Sequence, residues 1–190
     1  MGLFNKNLPE KNFSINFDAK YVPNLLEMVR NAPGKYTPTL SIEFPEKTCD
    51  AVDASISTHQ PIGDVLYSDN KQFLDVVGES FHVDAIKQVV EANGTENWLA
   101  GFLLPEPLNP FDPNAVSVVL IWKHKGDKEY SCQIVGYLAK EQAKKVHKNI
   151  VKKLATGGVI PVLAMIKGGT PDEPNYGLLA RAMTDSVKFE

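Results

Sequence analysis

The sequence predicts a mainly β (α+β) fold: a small barrel or rolled sheet with two short helices, preceded by an N-terminal α/β extension. Three observations carry this. After residue 70, apolar runs of strand length recur between turn dipeptides and glycines. Two segments among them instead space their apolar residues three and four apart, as a helix does. A length of 190 residues suffices for one good-sized core, or for a core with a small appendage.

The elements read as follows. A short helix is expected near residues 23–31, with Pro23 in its first turn, Leu25, Leu26 and Val29 on its apolar face, and Pro33-Gly34 ending it. "TLSIEF", residues 39–44, alternates like a half-buried strand. Residues 45–70 read as irregular, and a boundary is expected near residue 70, giving an extension over 1–70 and a barrel domain over 71–190. "KQFLDVVGESF" reads as a strand through Val76-Val77, with Gly78 at a bulge or close approach. Asp84 is placed to N-cap a helix over residues 85–93 that Gly94 ends. "NWLAGFLLPE" is a strand. "AVSVVLIWK" is another, with Val116, Val118, Leu120 and Trp122 on one face. "HKGDKE" is a hairpin loop, and "YSCQIVGYL" is the returning strand. A helix over residues 140–154 would bury Ala143, Val146, Ile150 and Leu154, with Gly157-Gly158 closing it. "VIPVLAMIKGG" and "YGLLARAMTDSV" are the last two strands. Many strands with two helices tucked between them favour the barrel or rolled sheet.

Composition narrows the function. A net charge of -3 argues against a generally basic nucleic-acid binder. The charge is uneven, however: "KEQAKKVHKNIVKK", residues 140–153, holds six lysines and one glutamate. Arg30 and Arg181 are the only arginines, so bidentate arginine reading of base edges is not expected to dominate. No apolar stretch approaches the ~18 residues that span a bilayer. The N-terminus lacks a secretory apolar run, and Lys6 stands where myristoylation expects Ser or Thr. Cys49 and Cys132 are far apart, with no CxxC. A reduced, cytoplasmic chain without a disulfide framework is expected. There is no phosphate-binding GxxxxGK[ST] loop, no GxSxG and no HExxH. His59, His82, His124 and His147 are isolated, and none has metal-ligand spacing. Asp50 and Asp53 sit three apart but lack the further carboxylates of a two-metal nuclease. The chain is therefore expected not to be an enzyme and to hold no cofactor or metal.

The informative stretch is "LNPFDPNAVSVVLIW", residues 108–122. Asn109-Pro110 and Asp112-Pro113 are turn dipeptides, and Asn and Asp side chains bond to nearby amides. The stretch is at least a rigid corner before a buried strand. Three pieces in order, "VVGESF" (76–81), "NPFDPNAVSV" (109–118) and "VGYLAKEQAKKV" (135–146), resemble the HIRAN domain family over about residues 72–187. That family's pattern is a V-G strand with an aromatic after it, an N-P-aromatic-D-x-N-A corner, and a V-G-aromatic-L strand running into a helix. The resemblance implies a modified OB-like barrel that binds single-stranded DNA, in its best-understood members at a free 3′ end. Such domains are often attached to helicase-like ATPases. Here a partner ATPase would be a separate protein.

Carried over residue by residue, the resemblance places Phe81 at the aromatic after the first V-G strand, and Phe111 and Asp112 at the corner's aromatic-Asp step. Tyr137 follows Gly136, and Lys140 opens the helix. Two departures stand out. Ser80 occupies a position where a DNA-binding member can carry a basic residue, and phenylalanine at 81 and 111 keeps a stacking face but lacks a tyrosine hydroxyl. A single-strand site needs aromatic platforms and a positive track. Phe81 and Phe111 are candidate platforms, and Lys140, Lys144 and Lys148 a candidate track. "GYLAKE" offers no Ser, Thr, Asp or Asn to cap the helix, which suits a phosphate at its first amides. Asp112 is the candidate reader of a 3′-hydroxyl, and Asn114 is assigned to holding the corner. Two readings result: a module that binds single-stranded DNA ends, or a protein–protein adaptor that keeps the barrel without DNA. The few arginines, Ser80 and the negative net charge favour the second; the corner and the lysine helix favour the first.

Overall fold

The computed structural model describes residues 14–16, 39–41, 46–106, 109, 111–124, 126–127, 130–155 and 158–189. The helix expected near residues 23–31 lies outside them. Two short strands, β1 (Ser14–Asn16) and β2 (Thr39–Ser41), pair in parallel. The body of the fold is a seven-stranded sheet of β3 (Lys71–Leu74), β4 (Val76–Val77), β5 (Trp98–Pro105), β6 (Val116–Trp122), β7 (Ser131–Leu138), β8 (Pro161–Gly168) and β9 (Tyr176–Met183). Its order is β3-β9-β8-β5-β6-β7-β4, and every neighbouring pair is antiparallel. The two edge strands are consecutive in the chain, with only Asp75 between them. The sheet therefore curls until its ends meet at one residue, as a nearly closed barrel.

Alternation along the strands sorts the side chains into two clusters. Leu99 and Leu103 of β5, Val116, Val118, Leu120 and Trp122 of β6, Val162, Ala164 and Ile166 of β8, and Ala180 and Ala182 of β9 share the larger one. Helix α2 (Val83–Asn93) adds Ile86 and Val89, and α3 (Lys140–Ala155) adds Ala143, Val146 and Ile150. The opposite face of the same strands gives Phe102, Leu104, Val119 and Ile121 to a second cluster. That cluster is covered by α1 (Glu46–Thr58), which contributes Cys49 and Val52. Strand β6 is thus buried on both faces, which is why its sequence is apolar at every position but Ser117. Its buried Ser117 is satisfied by donating to Leu104 O at 3.2 Å.

Several expectations need correction. Residues 45–70 are not irregular throughout, because α1 occupies half of them, and three helices rather than two surround the barrel among the described residues. The segment on either side of residue 70 also shares the barrel's hydrogen bonds. Leu66 N–H donates to Val159 O (2.9 Å), and Ser68 N–H to Met183 O (2.9 Å). Helix α2 starts two residues earlier than an Asp84 cap would allow. His82 is its N-cap, without a side-chain cap bond, and Asp84 lies in the first turn. The last strand ends at Met183. The tail then turns back to bury Val187 and Phe189. Buried Gln72 holds that tail: its Nε2 donates to Thr184 O and Val187 O (2.7 Å each), and its Oε1 accepts from Phe189 N–H (3.2 Å).

Barrel closure tests the fold. A Cβ on Gly136 of β7 would come within 2.8 Å of Val76 Cγ1 and 3.1 Å of the Val77 carbonyl oxygen, both on β4. One on Gly177 of β9 would meet nothing within 4 Å. Gly136→Ala should lower stability in urea unfolding by roughly 1–3 kcal/mol, the usual cost of overpacking. Gly177→Ala should stay within about 0.5 kcal/mol of wild type. Equal midpoints for the two variants would mean that the β4–β7 seam is not tight.

Candidate nucleic-acid interface

The loop joining β5 to β6 is the corner read from sequence. Its base is closed by Glu106 N–H donating to Ala115 O (2.8 Å). Asn109 Oδ1 accepts from the amides of Phe111 (3.0 Å) and Asp112 (3.2 Å). Asp112 Oδ1 accepts from Asn114 N–H (2.8 Å) and lies 3.4 Å from Asn114 Nδ2. Asn109 and Asp112 thus each hold the backbone that follows them, which is what these residue types do in turns. Within this frame the Phe111 ring points away from the protein, 95% exposed.

Phe81 is presented by a different device. Gly78 takes a positive φ of 84°, which a side chain would resist, and a single 3-10 turn over Glu79–Phe81 follows. The amides of Phe81 and His82 close it onto Gly78 O (3.0 Å) and Glu79 O (2.9 Å). The Phe81 ring is 88% exposed. Because β4 pairs with β7, Tyr137 sits opposite Val77, and its ring lies 5.5 Å from that of His82.

Glu106 ties the corner to β7, beside the Phe81 turn. Its Oε2 accepts from Asn109 Nδ2 (3.0 Å) on the corner and from the Tyr137 hydroxyl (3.3 Å) on β7. Burial first, and then the Glu106 charge and hydrogen bond, push the Tyr137 phenol up to about 12. Burial lowers the His82 imidazole, and the Glu106 carboxylate pulls the other way. The structure therefore ties the corner that carries Phe111 and Asp112 to Tyr137 through one half-buried carboxylate, and the turn that carries Phe81 lies beside Tyr137 through His82.

Lys140 and Lys144 begin α3, which follows Tyr137 after two residues, and both are exposed together with Lys145 and Lys148. At helical spacing His147 falls on the stripe of Lys140 and Lys144. It is buried, and its Nε2 has no hydrogen-bond partner. Burial lowers its imidazole, and the Asp112 charge opposes that shift. Asp112 and α3 thus sense one another electrostatically. Ala139, just before α3, has no side-chain oxygen to cap it, and its own amide is taken by Asp75 O (2.7 Å).

Glu106, His82 and His147 were missed in the sequence. Glu106 follows the apolar end of β5 without a motif of its own. Spacing along the chain tests a histidine as a metal ligand and says nothing about its packing. Among the described residues no cluster of His, Cys, Asp or Glu could hold a metal ion, and no helix is long and apolar enough to cross a membrane. Arg181, the one arginine among the described residues, is already engaged. Its guanidinium lies 5.0 Å from the ring centroids of both Phe73 and Trp98, on the barrel's outer surface. No family model, no curated protein and no solved structure matches the chain.

Two outcomes follow from this geometry. Phe81→Ala and Phe111→Ala should each leave stability within about 0.5 kcal/mol of wild type, as exposed positions do. Fully buried Phe102→Ala should cost about 3–5 kcal/mol. Urea midpoints check this. The second outcome concerns pH. His147 and His82 both have folded values below the ordinary ~6.5 of a free histidine. The unfolded chain therefore takes up protons first as pH falls. The stability tied to these neutral imidazoles is present above that range and is lost as pH falls through it toward the folded values. His147→Leu should make unfolding free energy less sensitive to pH between about 8 and about 5.5. An unchanged pH slope would show that His147 is solvated.

Proposed function

We propose that the chain is a nucleic-acid-binding module of the HIRAN type, taking the end of a single strand at the face built by Phe81, Glu106, Phe111, Asp112 and Tyr137. The observation that carries this reading is the exposure of two phenylalanine rings on separately braced turns, one of them tied by the Glu106 carboxylate to Tyr137 beside the other. Neither ring contributes to the core, yet each is held by a rigid local frame. Flat apolar rings held this way suit base stacking, and preorganisation limits the ordering cost of binding. The exposed lysines at the start of α3 supply the positive edge that a phosphate backbone needs.

The carboxylates refine the reading. Glu106 and Asp112 would repel a phosphate, so the group they face should be a donor. A terminal sugar hydroxyl is such a donor.

The test is a titration with labelled single strands ending in 3′-hydroxyl or 3′-phosphate, with duplex as control. The hydroxyl end should bind best. Phe81→Ala and Phe111→Ala should each weaken binding by roughly 1–3 kcal/mol. Affinity should fall with salt at a log–log slope of about -0.7 per phosphate contact, and Lys140→Glu should flatten that slope. Asp112→Ala should narrow the gap between the two ends. Equal affinity for both ends by the wild-type protein would overturn the end-reading role, and absence of single-strand binding would overturn the whole reading.

A second reading, a protein–protein adaptor, is favoured by a different surface. Phe73 and Trp98 are 63% and 41% exposed on either side of Arg181. Aromatic residues with arginine are the composition of interface hot spots. A protein in which no strand binds, while Phe81→Ala and Phe111→Ala stay folded, would leave this reading in place.

A further inference from the structure

The two cysteines stand 83 positions apart in sequence, yet their sulfurs lie 3.2 Å apart. Cys49 is on α1 and Cys132 on β7, opposite Ile121 of β6. The contact is not isolated. One helical turn beyond Cys49, Asp53 Oδ2 accepts from the Tyr130 hydroxyl at 2.7 Å. The helix is thus fixed to the start of β7 at two successive points. The two thiols also differ. Cys49 is 8% exposed within the outer cluster, whereas Cys132 is solvent-exposed.

We infer that Cys132 and Cys49 form a reversible redox pair, in which a hydroperoxide oxidises Cys132 and Cys49 resolves the product into an intramolecular disulfide fastening α1 to β7. The hydrogen bond between the sulfurs lowers the Cys132 thiol below its ordinary value. The same bond, with burial, raises Cys49. An accessible thiol of lowered pKa beside a resolving partner is the environment in which cysteine oxidation is selective and reversible.

The steps balance. The Cys132 thiolate attacks one peroxide oxygen, and the O–O bond breaks. Sulfur is oxidised to the sulfenic acid as the peroxide is reduced, and hydroxide or alkoxide leaves. Cys49 then loses its proton and its sulfur attacks the Cys132 sulfur. The S–O bond breaks, and the departing hydroxide takes the proton as water. Bond formation needs the sulfurs to close from 3.2 Å to about 2.05 Å. A dithiol returns both thiols by exchange. The pair lies on the far side of β6 from the larger core, and its chemistry is independent of strand binding.

The experiment uses the full chain, reduced with dithiothreitol, freed of it, and treated with one equivalent of hydrogen peroxide. The protein should lose the mass of two hydrogen atoms, form no intermolecular disulfide, resist thiol alkylation and melt at a higher temperature. Dithiothreitol should restore the starting state. In Cys49→Ser, Cys132 should accumulate a sulfenic acid that dimedone traps. In Cys132→Ser, Cys49 should remain unoxidised under the same treatment. Wild-type protein that keeps two alkylatable thiols, or that forms only intermolecular disulfides, would overturn the pairing. Oxidation of Cys49 in Cys132→Ser as fast as that of Cys132 in Cys49→Ser would overturn the assignment of Cys132 as the reacting thiol.

Discussion

A sheet can enclose a core only if its first and last strands meet, and here that constraint falls on Asp75. The strand before it pairs with β9, and the strand after it pairs with β7. One residue must therefore turn the chain from one end of the sheet to the other without leaving its backbone groups bare. Gln142 of α3 makes this possible. Its Oε1 accepts from Asp75 N–H (2.9 Å), while its Nε2 donates to Phe73 O (3.1 Å) and Phe189 O (3.2 Å). Asp75 O takes the Ala139 amide. The gap in the ladder is bridged by a side chain from the first turn of the lysine helix. This bond set fixes where α3 begins, and with it the place of Lys140 and Lys144 beside Tyr137.

Closure also explains the spacing of the candidate site. Val77 is the last paired residue of β4, so the chain leaves the sheet at Gly78 directly beside Tyr137. On the other side, the β5–β6 hairpin extends past its last ladder pair, Pro105 with Val116, and ends in the braced corner. The two exposed phenylalanines therefore come from loops at adjoining parts of one sheet, and Glu106 ties the corner to Tyr137 on the strand beside Gly78. The outer face is settled by a different need. Phe102, Leu104, Val119 and Ile121 would be bare without α1, and burying a side chain of this size is worth about 1.5–3 kcal/mol. The helix is held there by apolar contact, and the Asp53–Tyr130 and Cys49–Cys132 contacts set its register.

Most strands were legible because their signal is local. Val116, Val118, Leu120 and Trp122 do share a face, and Ala143, Val146 and Ile150 do line the buried side of α3. Helix α1 was missed for a reason that is equally local. Cys49, Val52 and Ile56 have helical spacing, but "EKTCDAVDASIST" is rich in Ser, Thr and Asp, which are modest helix formers. Its stability comes from the sheet face it covers, and that face is assembled from residues more than forty positions later in the chain. Gln142 and Gln72 were invisible for the same reason. A glutamine that satisfies three distant backbone groups looks, in sequence, like any surface glutamine. At the site, the corner's rigidity could be read from Asn109 and Asp112. The outward direction of Phe81 and Phe111 could not, since sequence alone admits a core role for each.

Charge gives the site its chemical character. Asp112 already spends one oxygen on Asn114, and Glu106 spends one on Asn109 and Tyr137. These carboxylates are structural as well as available, so they would cost the fold if removed and cannot simply be counted as ligand groups. The result is a face with separated signs, negative at the corner and positive along the helix. A uniform polyanion would meet repulsion at one end of such a face. A strand whose last residue presents a hydroxyl to the corner, and whose preceding phosphates lie toward the helix, would meet none. On the proposed reading, the absence of a basic residue at Ser80 is then less damaging than composition suggests. The positive charge lies on α3, anchored at Asp75, rather than on the turn that carries Phe81.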